Sequence, residues 1–327
     1  MTDSVLIRDL SAQRSRLRLV GKDAKRFLHG MVTNDVTGLA PGQGCHAAML
    51  TVKGKLLSDL TIYDLGEEGL MLELPATTGD SIRGALDRYL ISDDATISDA
   101  SAEVAELGVY GDKSAAALQR LGASSELTSL LPYHFSTATL PTGTLRIART
   151  PELGIVGFQV FGAPGAVAAA QAQLRADGAG ELSDSAATAL RVEAGTPLYG
   201  IDIDEERMPN ESRLADVFSP TKGCYLGQEV VVRLRDRGQV NRMLVGLRLP
   251  GLGSDQALPA AGTKLAHPSR ANAGHLTSVV RSPRFGVIAL GYVHRSVWEL
   301  GTELQLVSAV GEPLATAAVV TALPFAE

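Results

Sequence analysis

Cysteine is almost absent from this chain. Only Cys45 and Cys224 occur among 327 residues, which excludes a disulfide framework, and two thiols alone cannot build a structural zinc site. Long apolar runs are missing too. None approaches the roughly 20 residues needed to cross a bilayer. The N-terminal stretch has no apolar core and its basic residues are interrupted by acids, which argues against a secretory signal or an organelle transit peptide. Nor is positive charge in excess. A formal net charge of -6 gives no bulk attraction to nucleic acid or anionic lipid, so arginine patches would be the only route to nucleic acid. Aromatic residues are few, at 5%, but 45% of the chain is hydrophobic. That is enough for a sizeable core. The expectation is a soluble, cytoplasmic protein of two or three domains.

What is present is regular. Residues 17–20 predict a short strand. G-K-D-A-K-R-F-L-H-G-M-V-T-N-D predicts a helix through Phe27, Leu28, Met31 and Val32, with Asp23 placed to cap it. Residues 46–52, 56–64 and 70–74 predict an antiparallel meander, and residues 77–90 an amphipathic helix on Ile82, Leu86 and Leu90. A strand over 104–110 and a helix over 114–121 follow. Residues 123–145 are turn-rich and assign to no element. A strand over 155–161 precedes helices over 165–176 and 183–194, the second stopping at Gly195. Residues 197–220 form a loop too long to be a plain connector. Residues 227–237 predict a helix. Beyond Gly238, six short apolar segments alternate with Gly and Pro, the pattern of a small β-barrel or sandwich. The domain boundary is set at 240, giving residues 1–239 and 240–327.

Three constellations carry chemistry. In T-K-G-C-Y-L-G-Q-E, Cys224 precedes a helix start and follows Lys222 by two residues. Helix dipole and cation both favour a thiolate. The plainer account is a small buried hydrophobe in a tight turn. In R-V-E-A-G-T-P-L-Y-G-I-D, Glu193 falls at a helix C-terminus, where a carboxylate is unfavourable. Arg191, two residues away, does not face it. A ligand edge with two adjacent N–H donors, such as a pteridine or guanine, would satisfy it; the plainer account is a surface Glu at a frayed end. In the third, Asn34 and Asp35 form a turn, Lys53 and Gly54 a hairpin turn, and Ser58 and Asp59 the strand after it. Asp59 is a functional candidate if it faces inward. Arg233, Arg235 and Arg237 suit the dipole at a helix end, or would bind a carboxylate tail.

Together these segments resemble one family. K-G-C-Y-L-G-Q-E at 222–229 is similar to the signature of the YgfZ-type folate-binding proteins, of the glycine cleavage T-protein superfamily of aminomethyltransferases. F-L-H-G-M-V-T-N-D at 27–35, K-G-K-L-L-S-D at 53–59, R-V-E-A-G-T-P-L-Y-G-I-D at 191–202 and G-H-L-T-S at 274–278 resemble the other blocks, in order over nearly the whole chain. The resemblance implies an α+β, three-lobed T-protein-like fold with a central folate channel and a C-terminal β-barrel. It implies that tetrahydrofolate, or a one-carbon derivative, is bound by Glu193 at the pterin edge. Asn34, Asp35, Lys222 and Tyr225 would line the site, and Arg233 or Arg235 would meet the glutamate tail. Cys224 becomes the functional motif cysteine. The T-protein carries two consecutive aspartates where this chain has Ser58-Asp59, and the first is its catalytic acid. A serine cannot titrate as a carboxylate does. The resemblance therefore implies folate-linked support of iron–sulfur cluster assembly in client enzymes, with Cys224 reacting or relaying a group. Two cysteines cannot themselves hold a cluster of the usual four-thiolate kind. A folate-dependent aminomethyl or one-carbon transferase or demethylase, with Asp59 as stand-in, is the alternative, and a non-catalytic scaffold the third reading.

Overall fold

The fold is described from a computed structural model, for residues 4–253, 255–308 and 310–326. By compactness the chain divides into two units. The first comprises Met1–Pro151, Ile155–Ser183 and Asp216–Gln228; the second comprises Glu152–Gly154, Asp184–Ala215 and Glu229–Glu327.

The first unit runs β1 (Leu6–Asp9), β2 (Arg14–Val20), α1 (Ala24–Met31), β3 (Gly44–Leu50), β4 (Leu56–Asp64), β5 (Leu70–Pro75), α2 (Gly79–Tyr89), β6 (Thr96–Asp99) and β7 (Ala105–Tyr110). It continues through α3 (Ser114–Arg120), β8 (Phe135–Leu140), β9 (Gly143–Arg149), β10 (Gly157–Gly162), α4 (Pro164–Ala176) and β11 (Gly180–Glu181). One sheet has the order β3-β4-β5-β2-β6, the other β11-β1-β7-β10-β9-β8. Strand alternation decides the faces. On β3 and β4, Ala47, Met49, Leu60 and Ile62 join Phe27, Leu28, Met31, Ile82 and Leu86 of the two helices in one core. The opposite face, with Tyr63 and Met71, packs on Phe135, Ala148 and Phe161 of the second sheet. That inter-sheet layer also holds polar groups. Arg16 donates to Glu106 at 2.7 Å, both fully buried. Burial and the neighbouring Glu106 push the Glu73 carboxyl well above its usual range.

Residues 123–145, unassigned from sequence, hold β8 and the start of β9, paired as a hairpin from Phe135↔Ala148 to Leu140↔Gly143. Asp23 stands at the head of α1 but makes no side-chain cap. Its carboxylate instead accepts from the Asp94 N–H at 2.9 Å.

The second unit contains α5 (Asp184–Ala194), most of α6 (Gln228–Arg237), and β12 (Arg242–Arg248), β13 (Lys264–His267), β14 (Arg270–Ser282), β15 (Gly286–His294), β16 (Glu303–Val307) and β17 (Pro313–Thr321). These six strands close into a barrel in the order β12-β15-β14-β13-β16-β17. Leu247, Leu265, Leu276, Leu304 and Leu306 fill it, and α5 packs outside through Ala189 and Val192 on Leu244, Ile288 and Leu290. The α+β class and the closed barrel agree with the expectation. Gly195 ends α5 with φ +74°. Its N–H bonds to Val192 and that of Thr196 to Arg191, the paired closure that left-handed glycine allows. No described helix is long and apolar enough to cross a membrane.

Candidate functional site

Alternation on β4 separates the two residues of the Ser58-Asp59 pair. Ser58 is fully buried. Its hydroxyl donates to the Asp59 carbonyl at 2.7 Å and lies 3.0 Å from Thr78 Oγ1. Asp59 points the other way and keeps 21% of its side chain exposed. One of its oxygens, Oδ2, lies 3.2 Å from His46 Nε2. The other, Oδ1, is buried and has no hydrogen-bond partner among the described residues. An orphaned buried carboxylate oxygen is costly and is an acceptor waiting for a donor.

His46 comes from β3, where Ala48 pairs with Asp59 and His46 with Thr61, so the two side chains are diagonal neighbours on one face. His46 Nδ1 lies 2.9 Å from Asp216 Oδ2, and the Tyr133 hydroxyl donates to that same oxygen at 2.8 Å. Burial alone would push the imidazole down. Its hydrogen bonds to Asp216 and Asp59 outweigh that and raise it to about 10. Burial would likewise raise Asp216, but the bonds from His46 and Tyr133 leave it below the usual carboxylate value. Tyr133 has φ +66°, a left-handed backbone that costs a non-glycine residue about 1 kcal/mol or more. It is held by its N–H to the Arg149 carbonyl at 2.8 Å.

The T-N-D turn clamps the returning segment. The Asn34 amide donates to the His46 carbonyl at 2.7 Å and to the Asp216 carbonyl at 3.0 Å. Thr33 Oγ1 donates to the Val217 carbonyl at 2.5 Å. Asp35 is a turn residue, accepting from Thr37 Oγ1 at 2.9 Å and Gly38 N–H at 3.0 Å, with His29 Nδ1 at 3.1 Å. Cys45 is half-buried, and burial pushes its thiol up to about 12.

Lys222 does not leave its charge for the motif cysteine. Its ammonium donates to the His29 and Val32 carbonyls at 2.5 Å and to the Asn34 carbonyl at 3.0 Å. The Leu226 N–H adds a bond to Gly30 O at 3.0 Å. The His29 and Gly30 carbonyls are among those that the last turn of α1 leaves free, and those of Val32 and Asn34 follow it. Desolvation draws Lys222 down to about 8. Its Nζ also lies 5.0 Å from the centre of the Tyr225 ring. Gly227 closes the turn with φ +82°, and a Cβ there would fall 2.3 Å from the Thr51 carbonyl oxygen, so only glycine fits. Cys224 is exposed, which corrects the plainer account of it as a buried filler.

In the second unit, Glu193 is buried at 6% exposure, not frayed at a surface. The Ser282 hydroxyl donates to its Oε1 at 2.6 Å, while among the described residues its Oε2 meets Arg284 Nη1, at 3.6 Å. Arg191, on the same helix, donates to Asp202 at 2.6 Å, to the Thr196 carbonyl at 2.7 Å and to Ser278 Oγ at 2.8 Å. Asp202 also accepts from Thr277 at 2.5 Å, Ser278 at 2.7 Å and the Leu198 N–H at 3.0 Å. The block from Arg191 to Asp202 is thus an internally bonded knot beside Glu193. Arg233 is exposed and pairs with Glu229 at 2.7 Å, one turn away. Arg235 lies on α6, but its side chain falls outside the described residues, as does that of Arg237.

Sequence reasoning named Asp59, Asn34 and Asp35 but missed His46, Asp216 and Tyr133. The strand over 46–52 was legible, and its period-2 alternation would have put His46 on the Asp59 face. Asp216 lies in the loop whose length marked it as functional. Nothing local signalled Tyr133.

Known proteins match along the chain. The GCVT N-terminal domain matches residues 1–222, and the glycine cleavage T-protein C-terminal barrel domain matches residues 242–326. An aminomethyltransferase of Rubrobacter xylanophilus is 32% identical over 84% of this chain and 72% of its own length. One of Prochlorococcus marinus (strain MIT 9303) is 30% identical over 89% of this chain and 79% of its own. The crystal structure of glycine cleavage system aminomethyltransferase T from Bartonella henselae superposes with a TM-score of 0.86, at 23% identity, over 99% of this chain and 86% of that one. These relatives overturn the expectation of iron–sulfur cluster assembly and of iron–sulfur client partners. Its physical ground falls as well, because residue 58 faces the core and the accessible carboxylate of the pair is Asp59. From the two domain matches and the curated relatives together, the chain belongs to the glycine cleavage T-protein family.

Proposed function

We propose that the chain is a tetrahydrofolate-dependent transferase of an aminomethyl or related one-carbon group. The observation that carries this is Asp59. Its carboxylate lies on the accessible side of β4, with Oδ1 buried and without a hydrogen-bond partner among the described residues and Oδ2 against His46. A carboxylate so held accepts a proton from a reacting amine, or holds one for it. The residues fit the carrier of the family. Glu193 is buried at 6% exposure, and its Oε2, 3.6 Å from Arg284 Nη1, suits the N–H donors of a pterin edge, while Arg233 suits the carboxylates of the tail. Tetrahydrofolate, when bound, supplies the nitrogen that receives the one-carbon unit. Asn34 fixes the backbone of His46 and Asp216, Asp35 shapes the turn before β3, and Lys222 with Tyr225 anchors the motif turn.

Within the family, K-G-C-Y-L-G-Q-E resembles the YgfZ-type branch, and we assign the chain there. An exposed thiol on a turn tied down by Lys222 supports a role for Cys224 in the reaction.

The test is turnover of an aminomethyl donor with tetrahydrofolate. Asp59→Asn is expected to lower kcat by about 100-fold with folate still bound, and Glu193→Ala to weaken folate binding tenfold or more, about 1.4 kcal/mol, by calorimetry. A folded wild type that binds no folate would end this reading.

A further inference from the structure

His46 meets a carboxylate at each ring nitrogen, Asp59 at 3.2 Å and Asp216 at 2.9 Å. A neutral imidazole has one N–H and one lone pair, whereas an ionised carboxylate only accepts. Both contacts are hydrogen bonds only if the ring carries two protons. The geometry therefore selects the imidazolium. The surroundings hold it there. The Tyr133 ring lies 5.6 Å from the imidazole, centre to centre, and its hydroxyl binds the same Asp216 oxygen. The Asn34 amide bridges the backbones of His46 and Asp216. The left-handed backbone of Tyr133 adds a local cost beside this array, of the kind that accompanies functional sites. The facing titratable groups are thus two carboxylates and a phenol.

We propose that His46 is a positioning residue for the transfer: donating from both nitrogens, it supplies the positive charge that Asp59 needs in a mostly buried site, leaves Oδ1 as the oxygen that meets the proton, and pins the Asp216 segment to β3. The proposal rests on the transferase reading. Without the imidazolium, two carboxylates would face each other across a neutral side chain. Their repulsion would swing Asp59 out of line or draw in a proton that blocks Oδ1.

Two measurements on the full chain test it. The first is 15N NMR of the histidine rings. His46 is expected to show two protonated nitrogens at pH 7 and up to about pH 9, and Asp59→Asn or Asp216→Asn to lower that titration. A neutral His46 ring at pH 7 overturns the proposal. The second is kinetics of His46→Gln and His46→Arg. The Gln variant turns a carbonyl oxygen to one carboxylate, so kcat is expected to fall by about tenfold or more with KM for folate unchanged. The Arg variant restores a cation and part of the rate. Unchanged kcat in a folded His46→Gln variant, or equal losses for Gln and Arg, would also overturn it. Should the wild type show no turnover at all, the transferase reading fails and the positioning role with it. A neutral ring in an active wild type removes the positioning role alone.

Discussion

Replacing Arg191 by Met isolates the energetics of the knot beside Glu193. Asp202 is buried at 2% exposure and Arg191 at 5%. The substitution leaves the Asp202 carboxylate with three neutral donors, from Leu198, Thr277 and Ser278, and no cation. An uncompensated buried charge costs about 3–5 kcal/mol; the three remaining donors place this case near the lower end, at about 3 kcal/mol. Adding Asp202→Asn removes the charge while keeping one acceptor oxygen for those donors. The double variant is therefore expected to be more stable than Arg191→Met alone, by about 1–2 kcal/mol. The chain has a single tryptophan, Trp298, packed against the barrel core, so its fluorescence in urea reports the second unit. Equal or lower stability of the double variant would refute the reasoning, because it would mean that the Asp202 charge is not what Arg191→Met leaves uncompensated. A folate-binding readout belongs to the same experiment, since the knot holds the end of α5 that carries Glu193.

Two further perturbations follow from the first unit. The imidazole of His46 is raised from an ordinary 6.5 to about 10, so its contribution to stability is fully present below about pH 6.5 and is lost as pH rises towards 10. The full gap corresponds to about 5 kcal/mol, and the half-exposure of Asp216 screens that to about 2 kcal/mol. Urea midpoints measured across this range should fall in the wild type, and fall less in Asp216→Asn; equal slopes would remove the His46–Asp216 bond from the account. Gly227→Ala meets both a left-handed backbone and the Thr51 carbonyl, and should loosen the motif turn by about 1–3 kcal/mol, seen as faster amide exchange at Leu226.

The barrel was legible because Gly and Pro punctuate each of its strands and each strand carries a continuous apolar face. The α1 and α2 helices were legible from the spacing of Phe27, Leu28, Ile82 and Leu86. The β8–β9 hairpin was not. Its strands alternate Ser, Thr and Ala with few large apolar residues, and Pro141-Thr142 lacks the Asn-Gly chemistry of a tight hairpin turn. Asp59 stood out as a candidate, yet its direction waited on register. Leu56, Leu60 and Ile62 settle it by burying the even positions, which takes Ser58 inward. His46 and Asp216 are 170 positions apart, and no local pattern joins them. The iron–sulfur reading failed at this step, since it weighed Ser58 as though it faced the site.

Lys222 reaches back to the end of α1, and with it the segment 216–228 completes a unit that the chain left at Ser183. That has a consequence for synthesis. As the chain emerges from the ribosome, N-terminal first, the helix end at His29 to Val32, the Thr33 hydroxyl, the Asn34 amide and one face of His46 all wait without their partners. They wait while α5 and the long loop after it are made. Closing so distant a pair is slow as well as late. A nascent chain paused before residue 216 would show a formed pair of sheets with an unfinished edge at the candidate site. The last segment to arrive is the one that bears the exposed cysteine, so the motif turn and the His46 array would mature in the same step.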